Sequence, residues 1–180
     1  MGRRMLEGWA REKGGGGKKR MPLRCTMLKK VVQVLESTCT DEKERAIFST
    51  LMLWMFFGAF RVSELLGLHT GEGMRWEDVE LEEGGVVIQV RKSKTDQRAV
   101  GKEVRLPRFP AASCCPLHWG RRLQRERPGT GTLVFLHGDS SPVAAFQLLS
   151  FLRKALRFIG EDAKAYGTHS FRIGAASEAK

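Results

Sequence analysis

The sequence predicts a mixed α+β domain, mainly α-helical, with a small antiparallel β-hairpin or sheet. Several stretches repeat apolar residues at three- and four-residue steps, which is the period of an amphipathic helix. One β-branched run, residues 86–90, is followed after a polar turn by a second extended segment that ends at Pro107, as in a hairpin. With 180 residues and 42% hydrophobic content, the chain can bury one core.

Three helices are predicted in the first part of the chain. Residues 26–35 have helical periodicity, and a second helix spans about 41–57, with Asp41 among the residues that can cap it. After one polar turn this second helix is apolar nearly all round, so we expect it at the centre of the domain. Gly58 ends it, and residues 61–66 form a short third helix.

The remaining elements follow from strand, cap and breaker signals. The two extended segments place Lys94 near the tip of the hairpin. Pro116 at a first helical position predicts a helix to residue 126, and residues 133–136 are predicted as a short strand. An amphipathic helix is expected over 143–159, and a last helix should run from Thr168, whose side chain can cap it, towards the end of the chain.

Charge indicates the kind of partner. The 31 Lys and Arg residues exceed the 20 Asp and Glu residues, for a net charge of +11, which favours nucleic acid over an acidic small molecule. Residues 1–20 combine a glycine run with seven basic residues and are predicted to be a flexible basic linker before a domain at 21–180. This linker could follow a phosphate backbone, or it could be a solvated tail.

Membrane, disulfide and metal functions are not expected. The apolar run 46–60 is broken by polar residues and is shorter than the roughly 18 to 20 residues of a membrane span, so it predicts a buried helix. The four cysteines lack the spacing of a disulfide framework, which favours a nuclear or cytoplasmic location over secretion. Cys114, Cys115 and His118 lack a fourth ligand at zinc-like spacing, and we expect no metal or cofactor.

Four cationic side chains are candidate phosphate ligands: Arg61, Lys94, His169 and Arg172. Arg61 follows the apolar helix, and Glu64 lies three residues on, either as a simple ion pair or as a group that orients Arg61 towards a phosphate. His169 and Arg172 share a face near a helix N-terminus, where the dipole favours anions, although this spacing is also common on ordinary surfaces. Lys94 could donate a proton, but lysine also occurs in turns for solubility.

The order of these motifs resembles the catalytic domain of tyrosine recombinases, also called phage-integrase-type recombinases. The motifs are Gly-Ala-Phe-Arg-Val-Ser-Glu-Leu at 58–65, Lys-Ser-Lys-Thr at 92–95 and Thr-His-Ser-Phe-Arg-Ile-Gly-Ala-Ala at 168–176. Within that family the sequence is most similar to eukaryotic mobile-element versions, such as those of DIRS-type retroelements and cryptons. The resemblance covers about residues 20–180 and implies an integrase-like catalytic core.

The resemblance also implies roles for the candidate residues. In that family two arginines and a histidine bind the scissile phosphate, a hairpin lysine protonates the leaving 5′ oxygen, and a C-terminal tyrosine attacks phosphorus. By this resemblance Arg61 and Arg172 form the phosphate clamp, His169 is the accompanying acid or base, Lys94 is the general acid, and Glu64 supports the first arginine. Positioned cations can stabilise phosphoryl transfer without a metal.

The sequence departs from the family at the nucleophile. The family tyrosine lies one to two helices beyond the His-x-x-Arg motif, whereas eight residues follow Arg172 here. The only tyrosine, Tyr166, precedes the motif, and we expect it to pack ahead of the last helix rather than to act as a nucleophile. The resemblance therefore predicts a catalytic domain truncated at both ends that lacks its nucleophile segment.

Three functions stay open at this point. We favour a DNA-binding tyrosine-recombinase-like domain, associated with DNA recombination and integration, that holds the scissile phosphate without cleaving the strand. The alternatives are an active breaking-rejoining enzyme completed by a tyrosine outside this chain, and an interaction module with no nucleic-acid role. The expected partner is double-stranded DNA, with self-association on DNA and no membrane.

Overall fold

The computed structural model describes residues 20–69, 72–91, 101–126 and 132–178. The predicted linker, apart from Arg20, and Lys94 therefore lie outside the described residues. The helices and strands within those ranges are α1 Cys25–Thr38, α2 Glu42–Phe57, α3 Val62–Leu66, β1 Val79–Leu81, β2 Gly85–Val90, β3 Lys102–Pro107, α4 Pro116–Arg125, α5 Ala145–Phe158 and α6 His169–Glu178. The predicted class, mainly helical with a small antiparallel sheet, is confirmed.

Helix α2 lies at the centre of the domain, as its sequence predicts. The Asp41 carboxylate caps it by accepting the backbone N–H groups of Lys43 at 2.9 Å and Glu44 at 3.0 Å. Every residue from 46 to 56 is buried, including two hydroxyl residues. The other long helices, α1, α4, α5 and α6, all pack against it. Burial on all sides explains why its apolar residues show little preference for one face.

The sheet contains the predicted hairpin and one further strand. Strand β2 pairs antiparallel with β3, from Gly85 opposite Pro107 to Val90 opposite Lys102. On its other edge β2 pairs antiparallel with β1, in the order β1-β2-β3. Strand β1 has three residues, too few to show a period of two, and the sequence therefore gave no signal for it.

The prediction of a strand at residues 133–136 is wrong. Leu133 forms an isolated bridge with Arg75, and Leu136 forms another with Pro142. Since the two ends of the segment pair with different partners, no continuous ladder can develop. Helix α5 begins at Ala145, two residues later than predicted, because this segment continues into the loop before it.

Helix α6 is held between the N-terminal segment and the end of α2. Gly174 is buried, and a methyl group there would overlap the carbonyl oxygen of Leu23 and approach the Phe56 ring at 3.1 Å. At the start of α6 the Ser170 hydroxyl accepts the N–H of Gly167 at 3.0 Å, while the Ser170 carbonyl accepts the N–H of Leu23 at 3.0 Å. These contacts orient the helix that carries His169 and Arg172.

Among the helices that the structure describes, none combines the length and hydrophobicity needed to cross a lipid bilayer. The apolar α2 has 16 residues, and its first turn carries two glutamates. Its hydrophobic surface is covered by the helices around it.

Candidate phosphate-binding site

A tight turn after α2 sets the position of Arg61. Ala59 adopts a positive φ of 49°, and the N–H of Phe60 donates to the carbonyl of Met55 at 3.1 Å. The Phe60 ring folds back over Gly58, where any Cβ would overlap it. The turn is therefore packed against the core, and Arg61 leaves it at a defined place.

Glu64 contacts Arg61 through both of its carboxylate oxygens. Oε2 accepts the backbone N–H of Arg61 at 2.6 Å, and Oε1 accepts the guanidinium Nη1 at 3.3 Å. The side chains are 32% exposed for Arg61 and 12% exposed for Glu64. One contact caps α3 and the other orients the guanidinium, whose remaining N–H donors form no further bond within the described residues.

His169 and Arg172 lie on the outer face of α6. The inner face buries Ser170, Phe171 and Gly174, which leaves His169 exposed and Arg172 half-buried. Within the described residues, neither of these two side chains forms a hydrogen bond or an ion pair. The face therefore presents guanidinium and ring N–H donors that no carboxylate of the described residues binds.

The elements that carry the two parts of the candidate site are both attached to the C-terminal end of α2. Helix α6 packs against Phe56 in the last turn of α2, and the turn that carries Arg61 begins directly after that helix. No hydrogen bond or ion pair in the described part of the chain joins Arg61 or Glu64 to His169 or Arg172. The structure thus brings Arg61 and Glu64 into contact and places the other two residues on a neighbouring element.

A cluster that the sequence did not reveal lies at the base of the hairpin. Arg91 follows β2 directly, and its Nε donates to Asp78 at 2.6 Å while Nη2 donates to Glu77 at 2.7 Å. Asp78 is buried although charged. These bonds fix the point where the chain leaves β2 towards Lys94, which itself lies outside the described residues. Residues thirteen apart on different elements carry no local signal of such a contact.

Tyr166 lies in the core just before α6 and is 4% exposed. Burial, with the nearby charge of Glu161, raises the pKa of its hydroxyl. Its backbone carbonyl accepts Arg20 Nη1 at 3.4 Å. With its pKa raised above the usual value near 10, the hydroxyl is protonated at neutral pH.

The cysteines contribute packing and a helix cap. All four are free thiols. Cys115 is buried, and its sulfur accepts the backbone N–H groups of Phe109 at 3.3 Å and His118 at 3.5 Å, the second of which caps α4. Within the described residues, no three His, Cys, Asp or Glu side chains are grouped as metal ligands would be.

Solved structures of DNA recombinases share this fold. The XerH site-specific recombinase bound to its difH substrate matches 90% of this chain and 43% of that protein, with a TM-score of 0.64 and 20% identity. The XerA recombinase matches 88% of this chain and 50% of that protein, with a TM-score of 0.60 and 19% identity. The Tn1549 transposon integrase, in complex with circular intermediate DNA, matches 88% of this chain and 53% of that protein, with a TM-score of 0.59 and 16% identity.

The chain therefore has the integrase-like catalytic-core fold of tyrosine recombinases. It spans between 43% and 53% of the length of these three proteins. No known protein-family profile matches the sequence, and no curated protein matches it. At 16 to 20% identity the likeness is one of fold.

Proposed function

We propose that this chain binds double-stranded DNA in recombination or integration and holds the scissile phosphate through Arg61, His169 and Arg172, with Lys94. The observation that carries the proposal is the face of α6 that bears His169 and Arg172. Within the described residues it has no carboxylate partner, and α6 packs beside the end of α2 from which Arg61 emerges. The net charge of +11 supports a polyanionic partner. The DNA-bound state of the XerH structure supports DNA as that partner.

We further propose that the 180 residues bind the phosphate without forming a covalent link to it. Their one tyrosine, Tyr166, is buried, and its pKa is raised. A phenol that stays protonated is a poor nucleophile.

A second candidate function is strand breaking and rejoining with a tyrosine supplied from outside these residues. It is favoured by the similarity to XerH, whose structures include pre-cleavage and post-cleavage complexes. A eukaryotic mobile-element origin is proposed from the sequence motifs, and a nuclear or cytoplasmic location is proposed from the cysteine pattern. Self-association on DNA is supported by the dimeric and tetrameric lambda integrase structures.

The binding proposal is tested by titrating a fluorescein-labelled duplex with wild-type protein and with Arg172→Ala over a range of salt concentrations. Loss of one charge-assisted contact should weaken binding about tenfold. The slope of log K against log salt should become shallower by about 0.9, as expected for one phosphate. Arg157→Ala, at an exposed arginine in the last turn of α5, is the matched control. Equal effects of the two substitutions would contradict the proposal.

Cleavage is tested with a nicked suicide duplex that traps covalent protein–DNA adducts. We expect no adduct from the 180-residue chain. An adduct that is lost in Tyr166→Phe would overturn the non-cleaving proposal. An adduct formed only when a tyrosine-bearing segment is added would favour the second candidate.

A further inference from the structure

A second cationic surface lies on the opposite flank of α2 from α6. It is a groove of about 530 Å³ between α4, the loop after β3 and the edge of β1. Its polar residues are Arg108, His118, Arg121, Gln124 and Arg125. We name it the α4 groove.

Within the described residues, no carboxylate forms an ion pair with the arginines that line the α4 groove. No Asp or Glu lines it, and Arg108, Arg121 and Arg125 form no ion pair in the described part of the chain. Arg108 Nη1 and Arg121 Nη2 donate instead to the backbone carbonyls of Glu83 and Glu82, both at 3.3 Å. These bonds orient the guanidinium groups. Because a backbone carbonyl has no net charge, they do not neutralise the guanidinium charge.

Other arginines nearby are neutralised. On the sheet, Arg105 bonds Glu103 at 2.7 Å and lies 3.7 Å from Glu82. On α4 itself, Arg122 pairs with Glu42 at 3.4 Å. Arg121 and Arg125 are four residues apart and so lie on one face of α4, where two exposed like charges repel each other. Concentrated, unpaired cations above an apolar floor that includes Leu81 favour an anion with several charges.

The α4 groove is separate from the Arg61 site. Helix α4 packs on Trp54, whose indole N–H donates to the Pro116 carbonyl at 3.2 Å, whereas α6 packs on Phe56. Positions two residues apart on a helix point about 200° apart. Helices α4 and α6 therefore pack on different sides of α2.

We propose that the α4 groove binds the phosphate backbone of a nucleic acid through Arg108, Arg121 and Arg125. The unpaired charge is a property of the groove residues. The choice of nucleic acid as the ligand rests on the function proposed above. Each guanidinium can donate two N–H groups to one phosphate, and the groove is large enough for a short stretch of backbone. The chain then contacts nucleic acid on two flanks of its central helix.

The test measures binding of a labelled duplex against salt for Arg121→Ala/Arg125→Ala. Loss of two phosphate contacts should make the slope of log K against log salt shallower by about 1.8. Lys30→Ala/Arg157→Ala, which removes two exposed charges outside the groove, should change the slope less. Arg121→Lys/Arg125→Lys should keep the wild-type slope, because the charge remains. A groove variant with the same salt slope as the control variant would overturn the proposal. If Arg172→Ala binds duplex as wild type does while the groove variant shows the shallower slope, only the proposal for the Arg61 site is contradicted.

A second measurement locates the bound DNA. Burial and the charges of Arg122 and Arg125 lower the pKa of His118 at the edge of the groove. Phosphates bound there would offset those charges, so the His118 pKa measured by NMR should rise when duplex is added. The rise should be absent in Arg121→Ala/Arg125→Ala. A His118 pKa that duplex leaves unchanged in the wild-type protein would overturn the proposal.

Discussion

At the scale of single residues, Glu64 binds Arg61 at two points. Its carboxylate accepts both the backbone N–H and the guanidinium of the same arginine, at 2.6 and 3.3 Å. The pair therefore restricts the rotamers of Arg61, and within the described residues it leaves most of the guanidinium donors unbound. The ion pair expected from the three-residue spacing and the orienting role implied by the family resemblance are compatible with this one geometry.

Glu64→Ala tests whether Glu64 affects DNA binding through its own negative charge or by positioning Arg61. Removal of a negative charge near a polyanion would by itself strengthen DNA binding, whereas loss of orientation at Arg61 should weaken it. We expect weaker binding in the duplex titration. The free energy of unfolding in urea should fall by about 1 kcal/mol, because α3 loses its cap. Glu80→Ala, at an exposed glutamate of β1, is the control, and tighter binding by Glu64→Ala alone would refute the positioning role.

At the scale of elements, the contact between α6 and the rest of the domain depends on the absence of a side chain at Gly174. The Leu23 carbonyl and the Phe56 ring occupy the space that a Cβ would take. Leu23 also bonds Ser170, one turn earlier on the same helix, at 3.0 Å. The orientation of His169 and Arg172 follows from these contacts.

Gly174→Ala should therefore destabilise the protein although alanine is the better helix former. Helix propensity alone would add about 1 kcal/mol of stability. Overlap with backbone at Leu23 should instead cost about 1 to 3 kcal/mol, measured as the free energy of unfolding in urea. Ala176→Gly, at an exposed position of α6, should follow propensity and lose about 1 kcal/mol. A stabilised Gly174→Ala would show that α6 does not pack this closely.

His137 links the N-terminal ends of α2 and α5. Its Nδ1 lies 2.6 Å from Glu44 Oε1 and its Nε2 lies 3.1 Å from Gln147 Oε1. That same Gln147 oxygen accepts the N–H of Ala144 at 2.8 Å, so it is an acceptor. Since both partners accept, both ring nitrogens must carry protons, and the folded state favours the imidazolium.

Stability should therefore fall as pH rises through the titration of His137. Burial disfavours the cation, but the bonds to Glu44 and Gln147 outweigh it and raise the pKa of His137 above its usual 6.5. A raised folded-state pKa contributes stability that is fully present below 6.5 and is lost as pH rises through the folded value. Urea unfolding of wild type and His137→Gln at several pH values measures this difference. A difference in unfolding free energy between the two proteins that is constant or grows with pH would contradict the stabilising role of protonated His137.

At the scale of the whole molecule, the distribution of charge matters more than the net value of +11. Arg91 and Arg105 on the sheet are paired with carboxylates. Arg172 and the arginines of the α4 groove form no ion pair in the described ranges. The unneutralised charge therefore lies on two flanks of α2, and one contiguous core holds both flanks in place.

The sequence by itself determined the helices, the β2–β3 hairpin and the central place of α2. Each depends on local information: a helical or strand period, a cap such as Asp41, or a breaker such as Gly58. The contact between Arg61 and Glu64 was also predictable from their spacing, because a glutamate three residues after the residue that begins a helix can reach back to it. The class of fold followed from the same local patterns.

Only the tertiary structure decided the third strand, the irregular path of residues 133–136, and the α4 groove. Strand β1 is stable because β2 offers it a partner, and its three residues have no detectable period. Arg108 joins Arg121 and Arg125 because the loop after β3 folds against α4. Whether a carboxylate neutralises an arginine in an ion pair likewise depends on packing between distant segments. No local sequence period encodes that packing.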